Sequence, residues 1–323
     1  MGAGAICIRR VPTVVTMSQL EDFFRDFVEC PQCSAADWLT SSDGRMVCNR
    51  CKFASVIKGR MISLLPEKLS ENNAREADAY GTEADPMDPE LYEFLINKPY
   101  NYPKIAQDEY MEGARMIRQM ASDLGPAPSI LFLFGGGGME AHISGLLGPN
   151  VVLADISTPL LELAEKRFDH YGVPQPGAFV TCDAEKLPFR SGSFDMVIGY
   201  EGIHHCLVPQ AALQEILRVS RKRTFVVDNL ECMLTRFMGY LGRSSVVETS
   251  GVKPNRFTKG AVMTMLHNAK ITTYVMKPHM SIPYWAIRFL GRLGGGILSK
   301  ILIGIGQTNM FLLATDRSGK LPL

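Results

Sequence analysis

Ile130-Leu-Phe-Leu-Phe-Gly135-Gly-Gly-Gly138-Met-Glu140 decides the fold: an apolar run, four glycines, then residues that open a helix. An unbroken apolar run of this length reads as a strand buried on both faces. Glycines beside it let the backbone turn tightly and approach a ligand closely, and a helix starting there offers its unpaired amides. A glycine run is equally compatible with a plain loop, so its neighbours carry the weight. The apolar runs Val151–Asp155, Ala178–Cys182, Phe194–Gly199 and Thr224–Asp228 follow, separated by helical segments at Met139–Leu147, Pro159–Tyr171 and Gln210–Val219, and a helix at Ala106–Leu124 leads in. Strands alternating with helices predict an α/β fold around a doubly wound, mostly parallel sheet.

The chain has 323 residues, 46% hydrophobic and 21% charged, which excludes wholesale disorder and leaves room for one ordinary domain plus a smaller one. Its net charge of +1 hides an asymmetry. Glu67 to Asp123 carries 13 acidic and 6 basic residues, whereas Arg218 to Lys300 carries 14 basic and 3 acidic. A basic C-terminal third suits phosphates, an anionic substrate or a membrane surface; the alternative is a set of charges that attract the acidic segment of the same chain. Arg9 and Arg10 precede only a short mixed stretch, so a secretory signal is not expected, and the cysteine usage points to a reducing cytoplasm.

Four of the eight cysteines form an array: Cys30-Pro-Gln-Cys33, fourteen residues, then Cys48-Asn-Arg-Cys51. Two such knuckles present four thiolates to one point, the spacing of a zinc ribbon; two disulfides or free buried thiols are the alternatives. A closed four-thiolate site leaves no open position for substrate, so structural Zn2+ is expected, in a segment too small to build its own core. The chain divides into an N-terminal extension (1–24), the ribbon (25–66), an acidic linker with short helices (67–104) and a main domain (105–323).

Past the glycines, the strand Val151–Asp155 ends in a carboxylate placed to grip a ribose diol. Then come Asp183-Ala-Glu-Lys-Leu-Pro-Phe189, Ser193-Phe-Asp195-Met-Val and Gly199-Tyr-Glu-Gly-Ile-His-His205. Over residues 105–230 this ordered series resembles the class I S-adenosylmethionine-dependent methyltransferases, most closely those of small-molecule and quinone pathways. The resemblance implies a seven-stranded Rossmann-like sheet, with Ile271–Met276 and Asn309–Thr315 as its antiparallel last strands. It also implies a cofactor pocket: Gly135, Gly136 and Gly138 along the methionine part, Asp155 on the ribose with Ile156 next to it, Asp183 and Ala184 at the adenine, and Tyr200 in the loop that closes the pocket. Two departures stand out. The acid expected in the first strand is Phe132 and the first glycine is Phe134, with Glu140 as a substitute acid from the helix; Ser220-Arg-Lys-Arg223 replaces the Lys-Pro-Gly-Gly turn. Gly59-Arg-Met-Ile-Ser-Leu-Leu-Pro66 resembles the close of ribbons fused upstream of bacterial methyltransferases, ribosomal-RNA enzymes among them.

Methyl transfer from a sulfonium needs alignment first and a base only when the acceptor must lose a proton. His204, His205 and Glu201 are the candidate catalytic residues, with packing and helix capping as the plainer roles for the histidines. The stretch 281–306 is strongly apolar with Arg288, Arg292 and Lys300 as its only charges, and its glycines speak against a membrane-spanning helix. Such an insertion would cover a lipophilic acceptor or make a peripheral membrane contact; packing on the sheet or in a homodimer is the alternative. The function expected is S-adenosylmethionine-dependent methyl transfer to a small lipophilic or aromatic acceptor. An RNA methyltransferase and a non-catalytic scaffold are the competing readings; nucleic acid is disfavoured because no aromatic residues interleave the basic ones.

Overall fold

The structure, a computed structural model, describes residues 16–82, 85–229, 258–279 and 310–317, with positions 240, 297, 298, 301, 319 and 321. The apolar stretch 281–306 therefore lies outside the described residues except at those three positions, and the expectations placed on it rest on sequence alone.

The chain opens with α1 (Met17–Phe27), capped by Thr16, whose hydroxyl accepts from the Gln19 amide while Gln19 reaches back. That reciprocal pair satisfies two amides that a helix start otherwise leaves open. Leu20, Phe23, Phe24 and Phe27 share one face and are buried. Phe24 meets Trp38 edge-on at 4.8 Å and Phe27 lies 5.4 Å from Phe194, so α1 packs on both the cysteine-bearing segment and the main sheet. The hairpin β1 (Trp38–Thr40) and β2 (Met46–Cys48) carries part of the cysteine array.

A second hairpin, β3 (Val56–Lys58) and β4 (Met61–Ser63), leaves the cysteines and joins the main sheet. Two short helices follow, α2 (Glu71–Asp78) and α3 (Pro89–Ile96), then the long α4 (Lys104–Ala121). From there strand and helix alternate: β5 (Ile130–Leu133), α5 (Met139–Ser144), β6 (Val151–Asp155), α6 (Thr158–His170), β7 (Ala178–Thr181), β8 (Phe194–Tyr200), α7 (Pro209–Val219) and β9 (Ser220–Asn229). Helix α8 (Lys259–Asn268) precedes β10 (Tyr274–His279) and β11 (Met310–Asp316).

These strands form one sheet in the order β10-β11-β9-β8-β5-β6-β7-β4-β3. Seven strands were expected and nine are present. The surplus is the hairpin β3–β4, whose second strand pairs in parallel with β7 (Ile62 opposite Val180). Strand β7 would otherwise expose a row of unpaired amides and carbonyls, which β4 satisfies. Strands β5 to β8 are buried at every residue, as both-face helix cover demands. Their side chains alternate between two cores. Leu131 and Leu133 join α1, the cysteine segment, α7 and α8, whereas Ile130 and Phe132 join α4 and α6. Among the described residues no helix is long and apolar enough to cross a membrane.

Chain order runs from β5 outward through β6 and β7 on one side and through β8 and β9 on the other. A crevice opens where the order reverses, at the carboxyl ends of the strands, and ligands of such sheets bind there.

Candidate functional site

At the tip of β5 the chain turns through Phe134 at φ +58° and Gly136 at φ +30°, and Gly138, at φ +69°, sits just before α5. A side chain on Gly138 would fall 2.6 Å from the Phe168 ring, so this glycine is required by close packing on α6. Gly135 is likewise buried against Leu153. Of the three glycines expected to line the pocket, Gly136 does so, while Gly135 and Gly138 shape the turn behind it. Phe134 takes a left-handed conformation that a non-glycine residue avoids. Its ring drops into the place of the missing Gly202 side chain, where a Cβ would lie 2.1 Å from the ring.

A cavity of about 140 Å³ opens beside this turn. Asp155, Ile156, Asp183, Ala184, Glu201 and His205 are in its wall together with Gly136, so seven of the expected site residues converge. Each acid is set by its own strand end. Asp155 Oδ2 accepts from the Gly136 amide and Oδ1 from the Ser157 amide, both at 2.9 Å. Burial pushes the Asp155 carboxyl above its ordinary range, against the pull of those amides. Asp183 Oδ1 accepts from the Glu185 amide at 2.8 Å. The wall also contains Ser157, whose buried hydroxyl has no hydrogen-bond partner among the described residues. Two carboxylates and the Ser157 hydroxyl around one crevice fit the hydroxyl and amino groups of an adenosine-bearing cofactor.

Tyr200 is outside this wall. Its ring turns toward α4, where its hydroxyl would lie 3.1 Å from a Cβ on Gly113, a tight contact, and it lies 6.2 Å from the Tyr110 ring. The histidine pair splits. His205 lines the cavity, while His204 is buried and its Nδ1 pairs with Asp228 Oδ1 at 2.8 Å. Asp228 Oδ2 accepts from the Ile203 amide at 2.7 Å, so this carboxylate at the end of β9 fixes the whole Gly202–His205 turn. Asp228 went unremarked in the sequence reading, although a carboxylate closing a buried strand is the same signal that marked Asp155.

Glu201 sits at the tip of β8 at φ +51°. Burial pushes its carboxyl up, against Lys98 and a hydrogen bond with Tyr110. Glu140, at the start of α5, is pushed up to about 7 by burial and by the charge of Glu201, against Lys98 and Arg167. Phe132 is buried in the core, so the first strand contributes no acid, and Glu140 is the carboxylate of that turn. Cys182 and Cys206 also line the cavity, but burial raises both thiols well above their ordinary value, which argues against nucleophilic duty.

Three residues of the linker helix α2 region, Asn73, Glu76 and Tyr80, complete the wall. Acidity and turn formers mark that segment as a linker with short helices, which α2 and α3 are, but they give no sign that it lines a pocket.

Away from the crevice, the sulfurs of Cys30, Cys33, Cys48 and Cys51 lie within 4.8 Å of one another, and none is in a disulfide. The closest pairs, Cys30–Cys51 at 3.4 Å and Cys33–Cys48 at 3.6 Å, are near the spacing of a tetrahedral thiolate site. The Ala35 amide helps lower the Cys33 thiol to about 7.

Residues 134–227 match the model of a methyltransferase domain. Over those residues the chain carries a methyltransferase domain. Its turn and its two strand-end acids fall inside the matched residues, and so does the pocket wall apart from Leu133 and the three residues of the α2 region. Among curated relatives, a ubiquinone/menaquinone biosynthesis C-methyltransferase of Coxiella burnetii is 38% identical over 101 residues, 30% of this chain and 40% of the relative. One from Pseudomonas putida is 40% identical over 93 residues, 28% of this chain and 36% of the relative. The match thus spans about two fifths of the relatives' length. The geranyl diphosphate C-methyltransferase of Streptomyces coelicolor A3(2), solved with S-adenosyl-L-homocysteine, superposes with a TM-score of 0.53 at 12% identity, covering 78% of this chain and 100% of that one. The magnesium protoporphyrin IX methyltransferase of Synechocystis PCC 6803 does so at 0.52 and 12%, covering 76% and 100%. At that identity both show the shared methyltransferase fold.

Proposed function

We propose that this protein transfers a methyl group from S-adenosylmethionine to a small lipophilic or aromatic acceptor. One observation carries the reading: Asp155 and Asp183, at the ends of adjacent parallel strands, face one cavity together with Gly136 and the unmatched Ser157 hydroxyl. Asp155 would hold the ribose hydroxyls, Asp183 the adenine amino group, and Ile156 and Ala184 would flank the base. Glu140, beside Lys98 and Glu201, is the carboxylate available to the amino-acid end. When bound, the cofactor supplies an electrophilic methyl on a sulfonium. The chain's part is to hold the acceptor in line with it and keep water out. Glu201 is the residue at the β8 tip that would receive an acceptor proton in its ionised form, because burial raises the proton affinity of its carboxylate. The relatives named for quinone biosynthesis and the fold shared with a geranyl diphosphate methyltransferase support a lipophilic acceptor.

RNA methylation gains nothing here. Arg221 and Lys222 pair with Asp195, and Arg223 with Asp123 and Asp316, so these three residues of the basic C-terminal third are engaged within the chain. The four converging cysteines are proposed to hold a structural zinc ion.

Calorimetric titration with S-adenosylmethionine and S-adenosylhomocysteine tests the reading. Micromolar binding is expected, weakened at least roughly tenfold by Asp155→Ala, which loses a charge-assisted bond. A folded protein that binds neither compound would sink it.

A further inference from the structure

Helix α2 lies along the crevice and bonds its opposite wall through three side chains. Asn73 Nδ2 donates to Asp183 Oδ2 at 3.0 Å, and Asn72 Nδ2 donates to the His205 carbonyl at 3.0 Å. Glu76 Oε1 lies 3.2 Å from His205 Nδ1. Asp183 Oδ1 is engaged by the Glu185 amide, so the oxygen that Asn73 uses is the one otherwise open to a ligand amine. The cavity left beside α2 is about 140 Å³, below the roughly 300 Å³ at which ligand pockets begin. The acceptor atom is in use and the room is short, two observations with the same consequence.

We infer that α2 is a displaceable latch on the nucleoside end of the pocket. The Asn73 carboxamide stands on Asp183 where a nucleobase amino group would donate, and cofactor binding requires α2 to let go. The inference rests on the cofactor reading of this pocket. The composition of α2 suits the role. Its eight residues bury only Asn73 and Glu76, so polar bonds and not an apolar face hold it down. A helix this short has little stability of its own, and elements of this kind open at low free-energy cost.

The test is binding of S-adenosylhomocysteine to the full chain and to Asn73→Ala and Glu76→Ala, with hydrogen exchange of the 71–78 amides. Each variant is expected to bind roughly three- to tenfold tighter, since one competing hydrogen bond is gone. In the wild-type protein the ligand is expected to speed exchange in α2. Equal or weaker binding by Asn73→Ala with an unchanged melting temperature overturns the latch and makes α2 a fixed wall. Should that variant melt early, the wild-type exchange decides: protection of α2 by the ligand overturns the latch, and faster exchange supports it. Absence of binding in the wild type and both variants overturns the cofactor reading, and the latch with it.

Discussion

Phe134 shows how one substitution propagates. A phenylalanine at φ +58° carries backbone strain that glycine would not, roughly 1–3 kcal/mol. The ring offsets it by filling the space beside Gly202, which would be blocked by any side chain there. Gly202→Ala should therefore destabilise the protein by about 1–3 kcal/mol or more, because the ring has to leave its socket. Chemical denaturation would show it, and an unchanged midpoint would mean that the socket is loose. Glu140 is the second residue with an expected signature. Its carboxyl is raised to about 7, so in the folded protein it is neutral at mildly acid pH, and the stability that this gives is lost as pH rises through 7. A neutral carboxyl cannot pair with a cofactor ammonium, so affinity for S-adenosylhomocysteine should rise between about pH 6 and 8 in the wild type. Glu140→Gln should flatten that rise; calorimetry at both ends of the range measures it, and a rise that survives the substitution would remove Glu140 from the site. The strand-end acids Asp155 and Asp183 were legible because they end apolar runs. Ser157, Asn73 and Glu76 were not, since a serine before a helix reads as a cap and polar helix residues read as solvated.

Among the elements, the parallel strands and their helices were legible because a strand buried on both faces is a continuous apolar run. The hairpin β3–β4 was not. Three-residue strands give no periodicity, and only the bare edge of β7 explains why Met61–Ser63 joins the sheet. Helix α1 was legible in principle: Leu20, Phe23, Phe24 and Phe27 recur at helical spacing behind the Thr16 and Gln19 cap. Dividing the chain after residue 24 cut that pattern in two. Since Phe24 is fully buried against Trp38, Phe24→Ala should lower stability by about 3–5 kcal/mol. A loss below about 1 kcal/mol in urea unfolding would show that α1 is not part of the cooperative structure.

Across the whole molecule, the acidic and basic thirds of the sequence meet inside the fold. Arg223 joins Asp123 at the end of α4 to Asp316 on the last strand, so part of the charge asymmetry is internal compensation rather than a surface for a partner. The cysteine-bearing segment is integrated in the same way. Cys30, Met46, Cys48 and Phe53 belong to one buried cluster with Leu131, Val197 and Val226 of the central strands. Val28 and Glu29 bond the loop before β8, through the Val28–Phe189 bridge and the Glu29 amide on the Pro188 carbonyl. A ribbon on a flexible tether would melt by itself when its metal is removed. This one shares a core with the sheet and supplies its edge strand, so the two should melt together. Extraction of the proposed zinc ion with a chelator is expected to lower the melting temperature of the entire chain in a single calorimetric transition, with near-ultraviolet signals from both ribbon and sheet lost at one temperature. Two transitions, the higher unmoved by the chelator, would show instead that the methyltransferase domain folds without its ribbon.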